Sequence, residues 1–304
     1  MRARGSELDL RISTVPTLYG ESVVLRLLQR DNVALDFAPL GFSEELEQRM
    51  RDILAMPHGI LLVTGPTGSG KTTTLYAGLN ELNTPQHKII TVEDPVEYRL
   101  PRVNQVQVHE QIGLTFARVL RTALRQDPDV ILVGEMRDPE TIAATLTAAE
   151  TGHLVLSTIH TNDAAGSITR LLDMGLNPLN FSDAFLGVLA QRLTRRLCTK
   201  CHKDYTLSAE EFESLTTDYG TQYFDKTGIE YGAEMILHRA EGCEKCSGTG
   251  YRGRMGIHEL MEGTPEVKLM IKKQASSESI LQQALKEGMF TLKQDGILKV
   301  IQGI

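Results

Sequence analysis

The segment Gly59-Ile-Leu-Leu-Val-Thr runs directly into Gly65-Pro-Thr-Gly-Ser-Gly-Lys-Thr-Thr, and no other stretch constrains the fold as tightly. An apolar run followed by Gly65-x4-Gly70-Lys71-Thr72 spells a buried strand, a phosphate-binding loop and the start of a helix. Glycines let the backbone curl until its N–H groups face a phosphate, and the helix N-terminus adds its dipole. The expected nucleotide contacts are Gly65, Pro66, Thr67, Gly68, Ser69, Gly70, Lys71, Thr72 and Thr73. Lys71 can reach the β- and γ-phosphates, and the Thr72 hydroxyl can ligate Mg2+.

A strand–loop–helix of this kind belongs in an α/β layer, and the sequence after it keeps that alternation. Nearly continuous apolar runs at Ile60–Thr64, Lys88–Val92, Val130–Gly134 and His153–Ile159 read as parallel strands covered on both faces. Helical spacing is expected over 72–82, 115–126, 139–149, 164–174 and 181–192. Ser43, followed by three glutamates in the first turn, caps a helix reaching about Ala55. Ahead of this lie two strands, Leu8–Ser13 and Ser22–Leu28, joined by a loop over 14–21, and then a polar linker. The opening strand pattern looks already in progress, so the chain reads as a piece cut from a longer protein. Composition shifts near Leu197: residues 198–255 are rich in Gly, Cys and charge, with no strong helix after about Thr216. Helical periodicity returns over 264–301.

With 304 residues, about two domains are expected. The net charge of −7 and the absence of Trp disfavour a protein that coats nucleic acid, so no nucleic-acid partner is expected. No apolar run approaches the roughly 20 residues of a membrane span and no secretory signal is visible. The expectation is a cytoplasmic enzyme.

Hydrolysis needs acids and polar groups beside the loop, and strand ends are where to seek them. Glu93, in Thr91-Val-Glu-Asp-Pro-Val-Glu97, can polarise water, although a turn that merely caps a strand has the same spelling. Glu135 follows the run Val130-Ile-Leu-Val-Gly134, where many NTPases carry an aspartate in place of Gly134. A magnesium-supporting acid and a solvated strand-end glutamate both fit it. His160, in Ser157-Thr-Ile-His-Thr-Asn162, can donate to a γ-phosphate oxygen or serve as a structural histidine.

Cys198-x-x-Cys201 and Cys243-x-x-Cys246, 41 residues apart, suit four thiolates around a tetrahedral Zn2+ better than a disulfide framework, in keeping with a reducing compartment. Arg192, Arg195, Arg196, Lys200 and Lys203 approach the first pair as either a solvated face or a contact for acidic phospholipid.

These motifs, in this order, resemble the secretion ATPase superfamily, and most closely its GspE/PilB branch, which powers type II secretion and type IV pilus assembly. The resemblance covers nearly the whole chain. It implies a RecA-like P-loop core acting as a homo-hexamer, with ATP and Mg2+ between subunits. By position, Gly65–Thr72 is the family's Walker A, Glu93 its catalytic glutamate, Glu135 its atypical Walker B acid and His160 part of its His box. Arg11 and Arg26 match arginines of the preceding domain that complete the site. The tetracysteine module argues for assembly or secretion rather than retraction, and the insert near 216–233 reads as a variable loop.

The implied layout is the end of a second N-terminal domain at 1–29, a linker at 30–41, the ATPase core at 42–196, the zinc module at 197–255 and a C-terminal helical region at 256–304. The implied partners are inner-membrane platform proteins of the GspL and GspF kind, which would hold the protein peripherally at the inner membrane. A PilB-like pilus ATPase is the alternative to type II secretion. A DNA-translocating ATPase and a nucleotide-operated assembly switch are further rivals.

Overall fold

The computed structural model describes residues 2–3, 6–29, 35–232 and 235–304. At the N-terminus, β1 (Arg2–Ala3), β2 (Ser6–Thr17) and β3 (Gly20–Gln29) form an antiparallel sheet of their own. The loop expected at 14–21 shrinks to a turn at 18–19, because pairing continues through Pro16 opposite Glu21 and Thr17 opposite Gly20. Arg11 lies opposite Arg26 in this ladder, but both side chains fall outside the described residues.

The main body is one seven-stranded sheet. In chain order its elements begin with α1 (Glu44–Leu54), β4 (Gly59–Thr64), α2 (Lys71–Leu82), β5 (Ile89–Glu93) and β6 (Asn104–Gln107). They continue through α3 (Phe116–Ala123), β7 (Val130–Val133), α4 (Pro139–Glu150), β8 (Leu154–Ile159), α5 (Ala164–Asp173), α6 (Pro178–Ala184) and β9 (Phe185–Leu197). The Ser43 hydroxyl accepts from the Leu46 N–H at 3.2 Å and so caps α1. With β12 (Tyr251–Glu262) at one edge, the strand order is β12-β9-β4-β8-β7-β5-β6. Strands β4 to β9 are mutually parallel, and only β12 runs antiparallel, along β9.

Alternation along β4 explains the layering. Ile60 and Leu62 face one core with residues of α3, α4, α5 and α6, while Leu61 and Val63 face the other with residues of α1 and α2. Each such fully buried aliphatic side chain contributes about 1.5–3 kcal/mol. Phe37, from the stretch read as a linker, is 0% exposed in the second core.

The helix expected at 181–192 is overturned. Asn177 caps α6 with Pro178 in its first turn, and the chain leaves the helix at Phe185 to become a strand between β4 and β12. Phe-Leu-Gly-Val-Leu-Ala is apolar at both helical and strand spacing. Sheet packing decides it: at Gly187 even a Cβ would come within 2.9 Å of the Met261 carbonyl oxygen on β12.

Between β9 and β12 lie β10 (Lys203–Thr206), α7 (Ala209–Tyr219), α8 (Thr221–Phe224) and β11 (Ile236–Arg239), with β10 and β11 paired antiparallel. Contrary to the expectation of no strong helix after about Thr216, α7 runs on to Tyr219 and α8 follows it. Tyr219 and Phe224 bury against Ile297 of the last helix. The chain closes with α9 (Pro265–Lys272), α10 (Ser277–Lys286) and α11 (Leu292–Ile301).

His258 on β12 is 2% exposed, its ring 4.1 Å from that of Phe42, and its Nδ1 has no hydrogen-bond partner among the described residues. Burial, and secondarily the charge of Lys299, pull its pKa down to about 3. The unfolded chain therefore binds one more proton than the native one between about pH 3 and 6.5, so this histidine's contribution to stability falls as the pH drops through that window. The loss is about 1.4 kcal/mol per pH unit. His258→Phe should remove it: between pH 7 and 5, the stability difference between wild type and variant should move by about 2 kcal/mol in the variant's favour, read by urea unfolding at each pH. Parallel pH dependences would reject this assignment.

Candidate nucleotide site

The loop after β4 is held by contacts that its residue types require. Gly65 has φ +142°, and a Cβ there would lie 2.3 Å from the Gln191 carbonyl oxygen, so only glycine fits. Gln191 of β9 then braces the loop, its Nε2 donating to the Ser69 carbonyl at 2.6 Å while its Oε1 accepts from the Thr74 hydroxyl at 2.8 Å. Sequence reasoning missed Gln191 because it assigned that stretch to a helix. Lys71, the first residue of α2, turns inward and donates to the carbonyls of Gly65 at 2.8 Å and Pro66 at 3.2 Å. Burial lowers its pKa, opposed by the negative charge of Glu135.

Because β4, β8, β7 and β5 are adjacent and parallel, their carboxyl ends share one edge. Along it stand the loop, then His160, then Glu135, then Glu93. The first three are linked. His160 Nε2 lies 3.1 Å from Glu135 Oε1, and its Nδ1 lies 3.5 Å from Lys71 Nζ. A ring that donates through Nε2 and accepts through Nδ1 satisfies both contacts. Arg137 donates to Glu135 at 2.7 Å and stands 4.0 Å from Asp94. Gly134 explains why the acid sits one residue late: a Cβ there would come within 3.2 Å of the Val92 carbonyl oxygen and 3.3 Å of Glu93 Cα.

Glu93 is set apart from this chain of contacts. It is 3% exposed and accepts from the hydroxyls of Tyr76 and Thr91, the latter at 2.5 Å, and from Gln105 Nε2 at 3.2 Å. These partners come from α2, β5 and β6, and no local sequence signal announces them. Lys71, Thr72, Thr73, Glu93, Glu135, Arg137 and His160 all line one cleft of about 630 Å3. Its size, its glycine-lined loop and the inward lysine fit a nucleoside triphosphate.

The four cysteines, two pairs distant from each other in sequence, bring their sulfurs together. Cys198 and Cys243 Sγ are 4.0 Å apart, Cys201 and Cys246 3.7 Å, and Cys243 and Cys246 3.7 Å. Four thiolates at 2.3 Å from a tetrahedral zinc stand about 3.8 Å from one another, so the donor set fits Zn2+. Burial pushes the Cys201 thiol up to about 12. At Cys246 burial acts in the same upward sense, but the N–H groups of Cys243 and Gly250, 3.1 and 3.2 Å from its sulfur, prevail and bring it down to about 6. Sulfurs this close cannot all ionise without a cation among them.

The basic residues before this module do not form one face. Strand alternation separates Arg195 from Arg192 and Arg196; Arg195 lies over the Tyr251 ring, Arg192 reaches Asn162, and Lys203 pairs with Glu241.

Residues 1–304 match the sequence model of a family described as Type II/IV secretion system protein. The chain is 49% identical over 303 residues to the type II secretion system protein E of Xanthomonas campestris, covering 100% of this chain and 52% of that protein. It is 46% identical to the type II secretion system ATPase E of Vibrio cholerae, covering 58% of it. It is also 46% identical over 298 residues to the type IV pilus assembly ATPase PilB of Thermus thermophilus, covering 98% of this chain and 32% of that protein. The chain thus spans about half the length of the type II relatives it matches. Among solved structures, the ATPase DotB of Legionella pneumophila aligns over 100% of this chain and 72% of its own, with TM-score 0.68 and 21% identity. The pilus retraction motor PilT with bound ADP aligns over 94% and 72%, with TM-score 0.60 and 28% identity. The RecA-like architecture expected from the motifs is the fold these structures share.

Proposed function

The chain belongs to the type II/IV secretion system protein family, and from that premise we propose that it is the ATP-hydrolysing part of a type II secretion motor. The observation that carries the reading is the row of four strand ends, which sets a phosphate-binding loop, His160, Glu135 and Glu93 along one cleft. Lys71 exchanges its loop carbonyls for phosphate oxygens, and Thr72 ligates Mg2+. Glu135 supports the metal and, through His160, sits in contact with Lys71. Glu93 orients or activates the attacking water. Arg11 and Arg26 supply positive charge to the transferred phosphoryl group. Cys198, Cys201, Cys243 and Cys246 hold a structural zinc.

The active form is a homo-hexamer on the cytoplasmic side, held to the inner membrane by platform proteins. Among the described residues no helix is long and apolar enough to cross a membrane. The zinc module favours pseudopilus or pilus assembly over retraction, and the Thermus relative keeps type IV pilus assembly as the second reading.

Phosphate release should depend on Mg2+ and should rise more than linearly with protein concentration as rings form. Glu135→Ala should raise the Mg2+ needed for half-maximal turnover about 10-fold. Nucleotide binding without turnover, even in cross-linked hexamers, would make the protein a switch and sink the proposal.

A further inference from the structure

The charge of Glu93 is met by neutral hydroxyl and amide donors, whereas Glu135 on the same cleft meets Arg137 and His160. Tyr76 is the decisive donor. It sits on α2, a little over one turn after Lys71, with 0% of its surface exposed. Its hydroxyl donates to Glu93 Oε2, while Thr91 and Gln105 donate to Oε1. Gln105 is itself fixed: Nε2 donates to the Tyr98 carbonyl at 2.9 Å, and Oε1 accepts from the Leu100 N–H at 2.7 Å. The register places Gln105 directly opposite Thr91, so β5 and β6 present one rigid half of a cradle and α2 the other. Tyr98 packs edge-on against the Tyr76 ring, with centroids 5.8 Å apart, and limits its swing. Burial, then Glu93 itself, keeps the Tyr76 proton on well above the usual tyrosine range, so this hydroxyl is always a donor.

We propose that Tyr76 is the positioning residue of Glu93, tying that carboxylate to the helix whose N-terminus receives the phosphates. The inference rests on the reading of Glu93 as the water-activating group. A carboxylate held by donors on both oxygens keeps one orientation at no cost at the moment of reaction. Because the tether starts on α2, any shift of that helix as phosphate replaces the loop carbonyls on Lys71 is carried to Glu93. Without Tyr76, Oε2 would be buried with no donor, and the side chain would turn away from the cleft.

Tyr76→Phe keeps the ring, its packing on Tyr98 and its burial, and removes only the hydroxyl. In the assembled full chain, kcat for ATP hydrolysis should fall about 10-fold, while KM for ATP changes less than about twofold, as expected when alignment rather than binding is lost. A tyrosine that merely stabilises the fold would cost the same in any background. The decisive measurement is therefore a double-mutant cycle with Glu93→Ala, followed by single-turnover phosphate release. The expected result is that Tyr76→Phe costs nothing further once Glu93 is gone. An equal fractional loss in both backgrounds, or no loss in the wild-type background, overturns the inference. Wild-type turnover by Glu93→Ala alone would instead remove the reading of Glu93 on which the inference stands.

Discussion

Glu93→Gln is expected to lower kcat for ATP hydrolysis about 10²–10⁴-fold, the range a positioned general base contributes. The substitution is nearly isosteric. Its carbonyl oxygen can still accept from Tyr76, but its NH2 would face the Thr91 hydroxyl and the Gln105 amide. ATP affinity should stay within about threefold, because Lys71 and the loop N–H groups, the proposed phosphate ligands, are untouched. Asp94, the next residue, is the natural control. Its side chain is 42% exposed, and its nearest ionic partner, Arg137, is 4.0 Å away. A pair so placed is worth about 0–1 kcal/mol, so Asp94→Asn should leave kcat within about threefold. Single-turnover phosphate release with a parallel ATP-binding titration separates the two effects. Glu93→Gln turning over within threefold of wild type would exclude it as the base and transfer that role to Glu135.

The contrast between these adjacent acids shows what the sequence could and could not convey. Local spacing wrote the loop, the strands that carry Glu93, Glu135 and His160, and the two cysteine pairs, because each is fixed by residues within a few positions of one another. The order of the strands then brought the acids and the histidine to one edge, as parallel strands covered by helices require. What stayed hidden depends on distant partners. Glu93 and Asp94 look alike in sequence, yet one is sealed by donors from α2 and β6 and the other faces solvent. Gln191 braces the loop from a strand that reads equally well as a helix, since apolar residues at every position satisfy both periods. Strand β12 gave no strong signal because Gly253, Gly256 and four charged residues interrupt it. It is a strand because β9 offers it an edge.

Removing the proposed zinc should have the second large effect, and a local one. The module between β9 and β12 has little core of its own: Tyr219 and Phe224 bury against Ile297, while Leu207 and Leu237 are buried on the β10–β11 side. That is too small a core to stand without a staple. The four sulfurs close it where the β9–β12 ladder ends, with Tyr251 opposite Leu197 and the Cys198 N–H bonded to the Gly250 carbonyl at 2.9 Å. Structural zinc contributes on the order of 10 kcal/mol to such small units. Chelation of the metal, or Cys246→Ser, should therefore abolish hydrogen-exchange protection over 198–206 and 236–250, while β4, β5, β7 and β8 stay protected. Cys246→Ser also strips the N–H groups of Cys243 and Gly250 of their acceptor sulfur. Gln191 lies six residues up β9 from Leu197, about 20 Å along the strand, so the nucleotide loop should keep its brace and ATP affinity should change less than about threefold. Turnover should fall further than affinity if the module helps hold subunits together. Unchanged protection after metal analysis shows the zinc gone would mean that β10, β11 and α7 fold on their own, and the four cysteines would then need another explanation.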